Sequence, residues 1–401
     1  MGYHPSMPAS FRPRMTTILI LLLTVLACSS TPSILTAERT RRASQTQQAV
    51  PTDTLRPTRR AQSNSPSPVP PVATTSDRRI GPSGFPADVS PLTGLKVASP
   101  ALLERRPVGL EYANFPVEIR PQSGLSNADF VFEHASGQGT TRFLAFFYGK
   151  NAAGAGPITS GQWVAGELVR LYAGILGVNG AIPDVDKTLS SQLPGRLFNA
   201  GPSLCPGLCP QDLASASAAF ADTGALSRYV NGLTNGGMKP DLSGYIFDDR
   251  VPPGGEVAEH VRETYAQQNS VGWDYDPELG AYLRLQDKTG GQLVPAVDAL
   301  TGTQLAFPNV IVMFAVHDAV RPNLLDISLW FEPPRPMLLL RNGRLYHGTW
   351  AVTDLDSPIQ WLDASGLRMP LAFGSTWVEI VSLGSEISQP DQGTWQIDFA
   401  R

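Results

Sequence analysis

The chain has 401 residues and a formal net charge of −4 at pH 7, with 31 Lys and Arg against 35 Asp and Glu. The charge is unevenly distributed, because residues 29–85 hold eight Arg and three acidic residues while residues 86–401 hold 21 basic and 32 acidic residues. An acidic body behind a basic segment argues against nucleic acid as a partner. The basic segment is either simply solvated or in contact with anionic lipid or wall polymer.

The N-terminal segment has the pattern of an export signal. Arg12 and Arg14 precede an apolar run at residues 18–27, which is shorter than the roughly 20 residues that a membrane-spanning helix needs. We therefore predict a signal peptide at residues 1–27. The run ends in Val-Leu-Ala-Cys and resembles the lipobox of bacterial lipoproteins, which implies cleavage before Cys28 and a diacylglyceryl group on its sulfur. The alternative is an ordinary signal peptide with a chance Cys near its end.

Residues 28–85 are predicted to be a disordered Ser/Thr/Pro/Arg-rich tether. The segment has scarcely any aromatic or periodic apolar content, so it cannot bury enough surface to offset the entropy lost on ordering. As a random coil its ends would lie on the order of 45 Å apart. The predicted location of the protein is the extracytoplasmic face of the cell membrane, with the lipid on Cys28 as its contact with the bilayer.

The predicted fold class is α+β, with a mixed α/β domain at residues 86–250 and a smaller β-rich domain at residues 251–401. About 315 residues are enough for two domains of ordinary size. The α/β domain is predicted to contain strands at 106–113, 130–134 and 140–148, a polar turn or short helix at 123–129, a helix from about Gly161 to Leu171 with Ser160 as its N-cap, and a buried strand within 171–180.

The second domain carries two hairpin signals. Asp276-Pro277 and Gly280 form one turn, and Asn342-Gly343 forms a second, because both central residues of a type I′ turn need positive φ. Six of the seven Trp lie beyond residue 270. At strand positions such aromatic residues are more often core than a surface for ligands.

Cysteine spacing leaves two readings open. Cys205 and Cys209 in LCPGLCP form either a disulfide in an oxidising compartment or two free thiols. A zinc site would need further Cys or His ligands, and the four His of the mature chain lack ligand spacing, so no metal is predicted. No cofactor is predicted either, since the chain lacks GxSxG, HExxH, GxGxxG and CxxC motifs.

Two long stretches carry a family resemblance. One runs RPVGLEYANFPVEIRPQSGLSNADFVFEHASGQGTTRFLAFFYG and continues with AGPITSGQ; the other extends from VGWDYDPELGAYLR through RNGRLYHGTW to LAFGSTWVEIV. Both resemble the YerB-like lipoproteins, a family of unknown function, over roughly residues 91–383. The resemblance implies a lipid anchor, an α/β domain and a smaller β-rich C-terminal domain.

The chain also departs from the family pattern. Relatives usually have Glu-Gly-Gly-Ile-Thr-Arg where this chain has GQGTTR at 137–142, and they carry two Arg where it has Thr159 and Gln162. A His-Asn pair found in relatives has no counterpart here. If those arginines hold an anionic group in relatives, their planar five-donor forks are missing from this chain. The departures imply a lost activity or a changed ligand.

Six polar residues are predicted to contact a ligand, namely Arg120, Gln122, Asp129, Glu133, Arg142 and Ser160. Glu133 and His134 point to opposite faces of a strand, whereas Asp129 and Glu133 share a face and could act as an acid–base pair. The structural alternative is that Asp129 caps a turn and Glu133 pairs with Arg142. Ser160 either contacts an anion at a helix N-terminus or simply caps the helix.

Two classes of function follow. The first is a non-catalytic envelope lipoprotein that binds a wall glycan, a peptide or a protein in the α/β domain or the groove between domains. The second is an enzyme acting on an anionic envelope substrate such as a polyprenyl-phosphate-linked glycan, with Arg120 and Arg142 holding the anion and Asp129 or Glu133 moving protons. The enzyme hypothesis rests partly on analogy. Because two family arginines are missing, binding is the leading hypothesis.

Overall fold

The computed structural model describes residues 78–212, 217–233, 238–329 and 334–400. The predicted signal peptide, Cys28, most of the predicted tether and Trp330 lie outside the described residues. Every described residue belongs to one compact unit. Within the ranges described, no helix is both long enough and apolar enough to span a membrane.

The described residues form mainly β-strands, with three α-helices and four short 3₁₀ helices. The strands are β1 Arg79–Ile80, β2 Val108–Ala113, β3 Phe130–Gly137, β4 Thr140–Phe147, β5 Ala153–Ile158, β6 Ile175–Val178, β7 Leu197–Asn199, β8 Cys209–Asp212, β9 Ser217–Asp222, β10 Ile246–Asp248, β11 Glu256–Ala266, β12 Asn269–Asp276, β13 Ala281–Asp287, β14 Leu293–Pro295, β15 Ala306–Phe307, β16 Asn309–Arg321, β17 Leu324–Ser328, β18 Arg335–Arg341, β19 Arg344–Ala351, β20 Gln360–Leu362, β21 Pro370–Leu371, β22 Thr376–Ser382, β23 Glu386–Asp391 and β24 Gly393–Asp398. The helices are α1 Trp163–Leu171, α2 Pro183–Gln192 and α3 Thr223–Asn231, and the 3₁₀ helices are Pro100–Leu103, Val117–Ile119, Leu125–Asn127 and Pro202–Leu204.

A large central sheet connects the two halves of the sequence. Its strand order is β7-β6-β2-β4-β3-β22-β16-β18-β19-β20, with parallel pairing within β7-β6-β2 and within β3-β22-β16. The register of β3 on β22 runs from Phe130 opposite Thr376 to His134 opposite Ile380. Strands of the two predicted domains are therefore hydrogen-bonded neighbours in one sheet. The α+β class is correct in that the protein contains both strands and helices, but the helices and strands do not divide into two separate domains.

The central sheet is covered differently on its two faces. Phe130 and Phe132 of β3 project into a core that includes residues of α1 and α2, and we call this the helix face. Val131 of the same strand and Trp377 of β22 project to the opposite face. A second sheet, ordered β23-β24-β11-β12-β13 with β14 and β15 on β13, packs there. We call it the outer sheet.

Several predicted elements are confirmed. Strands β2, β3, β4 and β6 occupy the expected segments, and a 3₁₀ helix lies in the segment predicted as a polar turn or short helix. Asn342 and Gly343 have φ values of 54° and 68° between β18 and β19, and Gly280 has a φ of 62° before β13. The Trp residues beyond 270 that the structure describes are all buried, as expected for core.

Two boundaries differ from the prediction. Helix α1 begins at Trp163 with Gln162 as its N-cap, so the N-cap prediction for Ser160 is wrong. The oxygen atoms of Ser160 instead accept hydrogen bonds from Arg142. Ordered structure also begins before the predicted tether end at residue 85, since β1 pairs with β10 and Nη1 of Arg79 lies 2.8 Å from Oδ2 of Asp248.

The two cysteines beyond the signal region lie in one loop of the α/β part. The sulfur atoms of Cys205 and Cys209 are joined in a disulfide, with an S–S distance of 2.26 Å. Cys209 is also the first residue of β8, which pairs with β9. The bridge therefore closes a five-residue segment that leads directly into a strand of the sheet.

Candidate functional site

The six predicted ligand residues lie in three separate places. Arg142 and Ser160 meet at one edge of the central sheet. Glu133 belongs to a polar network between the central and outer sheets, together with Arg120 and Gln122. Asp129 lies just before β3, where it lines a different cleft. The structure thus brings together only part of the predicted constellation.

The Arg142 edge is where two parallel strands end. Arg142 on β4 lies opposite Ala113, the last residue of β2, and the parallel neighbour β6 ends at Val178. Nη1 of Arg142 donates to the carbonyl oxygen of Ser160 and to its hydroxyl, the latter at 3.2 Å. In α/β sheets, ligands bind outside the carboxyl ends of parallel strands, so this edge has the position of a binding site.

A buried acid–imidazole pair lies behind Arg142. Oε1 of Glu111 lies 3.0 Å from Nε2 of His134, and both side chains are fully buried. Oε2 of Glu111 is buried without a hydrogen-bond partner among the described residues. Burial lowers the pKa of Arg142, and the Glu111 carboxylate opposes that shift. We call Glu111, His134, Arg142 and Ser160 the Arg142 site.

The sequence prediction missed Glu111 and did not propose His134 as a ligand residue. A signal for Glu111 was available, because it is the one charged residue within the apolar strand VGLEYA. An acidic residue flanked by apolar residues in a buried strand needs a partner. The partner itself could not be read from the sequence, since His134 is separated from Glu111 by β4 in the sheet.

The guanidinium group of Arg142 has hydrogen-bond donors that a ligand with acceptor oxygens could use. Only its Nη1 bonds to the protein, and no described residue accepts a hydrogen bond from Nε or Nη2. Helix α1 starts three residues after Ser160, and its N-terminus has no side-chain cap within the described part of the chain. Free backbone N–H groups and the positive end of the helix dipole favour negative charge there. These donors and the helix dipole therefore favour a phosphate or carboxylate group at the Arg142 site.

Proton transfer is less well supported by the geometry. Nε2 of His134 faces Glu111 at 3.0 Å, and Nδ1 lies 3.4 Å from the carbonyl oxygen of Ala135. Both ring nitrogens thus face protein acceptors, which leaves neither directed at a ligand. A different histidine, His317 of β16, is also buried. Burial lowers its pKa to about 4, so its imidazole is neutral at physiological pH.

Glu133 lies between the sheets and away from Arg142. Its Oε2 accepts from Nη2 of Arg284 at 2.6 Å, and its Oε1 accepts from the Thr141 hydroxyl at 2.7 Å. The predicted Glu133–Arg142 pair is wrong, because Arg142 lies opposite His134 in the register. Glu133 and His134 do point to opposite faces as expected, and only His134 shares the helix face with Arg142.

Three carboxyl groups surround one guanidinium between the sheets. Nη1 of Arg284 donates to Glu379 at 3.2 Å, and Glu379 lies directly opposite Glu133 in the sheet. Burial raises the pKa of Glu263 to about 8, with a further rise from the charge of Glu133, and burial raises that of Glu379 well above its usual range. With a pKa of about 8, Glu263 holds a proton at neutral pH. We call these four residues the intersheet cluster.

Arg120 and Gln122 are engaged by the protein itself. Nη1 of Arg120 bonds to Oδ1 of Asp287 at 3.1 Å, and its Nε donates to Oδ1 of Asn114 at 2.9 Å. The Gln122 amide donates to the same Asn114 oxygen at 3.1 Å. The Arg120 side chain is only 6% exposed. These side chains connect the two sheets, and the hydrogen-bond donors named above are already used within the protein.

Asp129 fixes a turn. Its Oδ2 accepts from the backbone N–H of Tyr148 at 2.8 Å and from that of Gly149 at 3.0 Å. Burial raises the pKa of this carboxyl group while those two N–H groups lower it. Glu133 lies four positions further along the chain, a rise of roughly 13 Å in an extended strand, which is too long for a pair of catalytic carboxylates. The turn-capping alternative describes Asp129 better than the acid–base alternative.

Comparisons with known proteins agree with this architecture. Residues 92–203 match the protein of unknown function (DUF3048) N-terminal domain, and residues 261–378 match the DUF3048 C-terminal domain. The chain is 27% identical over 306 residues to "Putative lipoprotein YerB" of Bacillus subtilis (strain 168), covering 73% of this chain and 86% of the relative. A crystal structure of YerB protein from Bacillus subtilis superposes with a TM-score of 0.60 at 26% identity, covering 73% of this chain and 96% of that one.

Proposed function

Because this chain belongs to the DUF3048 family of YerB-like proteins, whose function is unknown, we propose a function from the geometry of the Arg142 site. The protein is an envelope lipoprotein that binds, without catalysis, a ligand carrying a phosphate or carboxylate group. The name of the Bacillus relative, which describes a lipoprotein, supports the proposed anchor on Cys28. The acidic group of the ligand lies against Arg142.

The observation that carries this proposal is the state of the Arg142 guanidinium. Its Nη1 is fixed by Ser160, while Nε and Nη2 have no acceptor among the described residues. Those two N–H groups can form a charge-assisted pair of hydrogen bonds to one acidic group. The loop that fixes Nη1 leads into the uncapped start of α1, which adds a second favourable term for an anion.

Catalysis is the weaker proposal for the same site. The enzyme hypothesis requires Arg120 to help hold the anion and Asp129 or Glu133 to transfer protons. Arg120 is bonded to Asp287, and Glu133 is bonded to Arg284 on the outer sheet. The imidazole of His134 faces Glu111 and Ala135. Arg142 therefore offers hydrogen-bond donors to a ligand, but no described residue beside it is positioned to move a proton.

Substitution of Arg142 tests the proposal. We expect Arg142→Ala to weaken ligand binding roughly ten- to hundredfold, because hydrogen bonds to a charged group contribute about 1.5–3 kcal/mol. Arg142→Lys should also weaken binding, because an ammonium lacks the planar fork. Full-length protein in detergent is titrated by calorimetry with a glycerol phosphate oligomer and, separately, with a peptide ending in a free D-alanine carboxylate.

The two probes distinguish a phosphate ligand from a carboxylate ligand. Arg228→Ala, an exposed arginine on α3, is the matched control and should bind like the wild type. Binding of neither probe by the wild type, or equal binding by Arg142→Ala and the wild type, would overturn the proposal. Circular dichroism of each variant establishes that the substitution has not unfolded the protein.

A further inference from the structure

A second cleft, of about 810 Å³, lies beside the start of β3. Its walls come from both halves of the sequence and include Ser126, Asn127, Lys150, Asn151, Pro308 and Phe373. We call it the Lys150 cleft. The volume falls within the range of about 300–1,000 Å³ that is typical of small-molecule sites. It is lined by none of the four residues of the Arg142 site.

Buried acids hold two walls of the Lys150 cleft in place. Asp129 accepts from the N–H groups of Tyr148 and Gly149 and so fixes the turn that carries Lys150. A Cβ at Gly149 would lie 2.9 Å from Oδ1 of Asp129, so glycine permits this close approach. Asp298 accepts from the N–H of Gly124 and of Ser126, each at 2.7 Å, and so fixes the 3₁₀ helix Leu125–Asn127.

Some polar side chains of the Lys150 cleft have no hydrogen-bond partner among the described residues, although the charge of Lys150 acts on the Asp129 carboxyl group, which also lines the cleft. The Ser126 hydroxyl, the Asn151 amide and the Lys150 ammonium form no hydrogen bond with any described residue. The hydroxyl and the amide can both donate and accept, whereas the ammonium only donates and carries a positive charge. These groups therefore match a ligand with many hydroxyl or amide groups and at least one negative charge.

Apolar surface lies in the same cleft. Leu95, Pro308 and Phe373 line it, and Leu95 is 36% exposed. Apart from Ala306 in β15, the lining residues lie in loops and in the 3₁₀ helices Pro100–Leu103 and Leu125–Asn127. Strand β15 is only two residues long and already pairs with β13, so an extended peptide would find little sheet edge to extend in this cleft. A compact ligand with one apolar face and one polar face fits this lining better than an extended peptide does.

We propose that the Lys150 cleft binds an acidic oligosaccharide. Sugar rings present C–H groups on their faces, which suit Leu95 and Pro308, and hydroxyl or acetamido groups at their rims, which suit Ser126 and Asn151. A carboxylate on the sugar pairs with Lys150. This inference does not depend on the Arg142 site, and it gives the protein a second, carbohydrate-binding surface.

The test compares an acidic with a neutral disaccharide. Full-length protein in detergent is titrated with N-acetylglucosaminyl-N-acetylmuramic acid, which carries a lactyl carboxylate, and with neutral N,N′-diacetylchitobiose, using ligand-observed NMR to obtain Kd. We expect the wild type to prefer the acidic sugar. Lys150→Ala should weaken binding of that sugar about tenfold and abolish the preference, because it removes a charge-assisted hydrogen bond. Asn151→Ala should weaken binding of both sugars.

Two controls make the result specific. Lys187→Ala removes an exposed lysine on α2 and should leave both Kd values unchanged. Arg142→Ala should likewise leave them unchanged, so failure of this inference is distinguishable from failure of the proposed function. The inference is overturned if the wild type binds neither sugar, if it binds both equally, or if Lys150→Ala keeps the wild-type preference.

Discussion

At the scale of single residues, the intersheet cluster explains how the two sheets are joined. One guanidinium, that of Arg284, contacts Glu133 at 2.6 Å and Glu379 at 3.2 Å, and Glu263 is buried nearby. Ionising all three carboxyl groups beside a single cation would leave net negative charge in the core, at a large cost. The raised pKa values of Glu263 and Glu379 follow from that cost.

Replacing Glu263 should change how stability depends on pH. Its folded pKa of about 8 exceeds the usual 4.5, so the contribution of this residue is complete at low pH and is lost as pH rises between those values. Glu263→Gln mimics the protonated form, so its free energy of unfolding should fall less steeply with pH, exceeding that of the wild type by about 4 kcal/mol at pH 8 and by little at pH 4.

Denaturant unfolding at pH 4, 6 and 8 measures this effect. Glu259→Gln, an exposed residue of the same strand β11, is the matched control and should follow the wild-type pH dependence. A Glu263→Gln variant whose unfolding free energy falls between pH 4 and pH 8 as steeply as that of the wild type would contradict the assignment of a protonated Glu263.

At the scale of elements, the β18–β19 hairpin shows how a local signal is reinforced by packing. Asn342 and Gly343 adopt the positive φ values that a type I′ turn requires. Gly343 also lies against Tyr275 on the outer sheet, and a Cβ there would be 2.8 Å from the ring. The turn thus needs glycine for its backbone conformation and for its contact with another strand.

Two glycine substitutions separate these contributions. Gly366 has a similar φ of 77°, but a Cβ there would meet nothing within 4 Å. Gly366→Ala should cost about 1 kcal/mol from backbone strain alone, whereas Gly343→Ala should cost roughly 2 kcal/mol more because of overpacking. Chemical denaturation of both variants measures the difference, and equal losses would show that Tyr275 moves away freely.

At the scale of the whole molecule, the continuous central sheet couples the two halves of the sequence. Strands β3 and β22 are neighbours, and Arg284 of the outer sheet bonds to Glu133 of β3. Separating residues 86–250 from residues 251–401 would expose the edges of both strands and leave Glu133 without its partner. Neither half retains a complete core in isolation, since both hydrophobic clusters draw residues from each.

Thermal unfolding should therefore be a single cooperative transition. We expect scanning calorimetry of the full-length protein to give one peak, with equal calorimetric and van't Hoff enthalpies. Arg284→Met should lower the melting temperature while keeping a single peak, because it leaves Glu133 buried without a cation. Two resolved peaks in the wild type would instead support two independently folding domains.

The sequence determined those features that depend on neighbouring residues. Strands β2, β3 and β4, both hairpin turns and the burial of the later Trp residues follow from apolar alternation, glycine positions and aromatic content. The opposite directions of Glu133 and His134 also follow from strand geometry alone. Arg142 and Ser160 could be named as candidates, although their mutual contact could not.

The tertiary structure decided which polar groups meet. Glu111 pairs with His134, and Glu133 pairs with Arg284, which is 151 residues away in the sequence. No local pattern encodes such pairs, because they depend on strand order and on which sheet covers each face. Partner choice for buried charge is set by the assembled core, where an unpaired carboxylate or guanidinium is most costly.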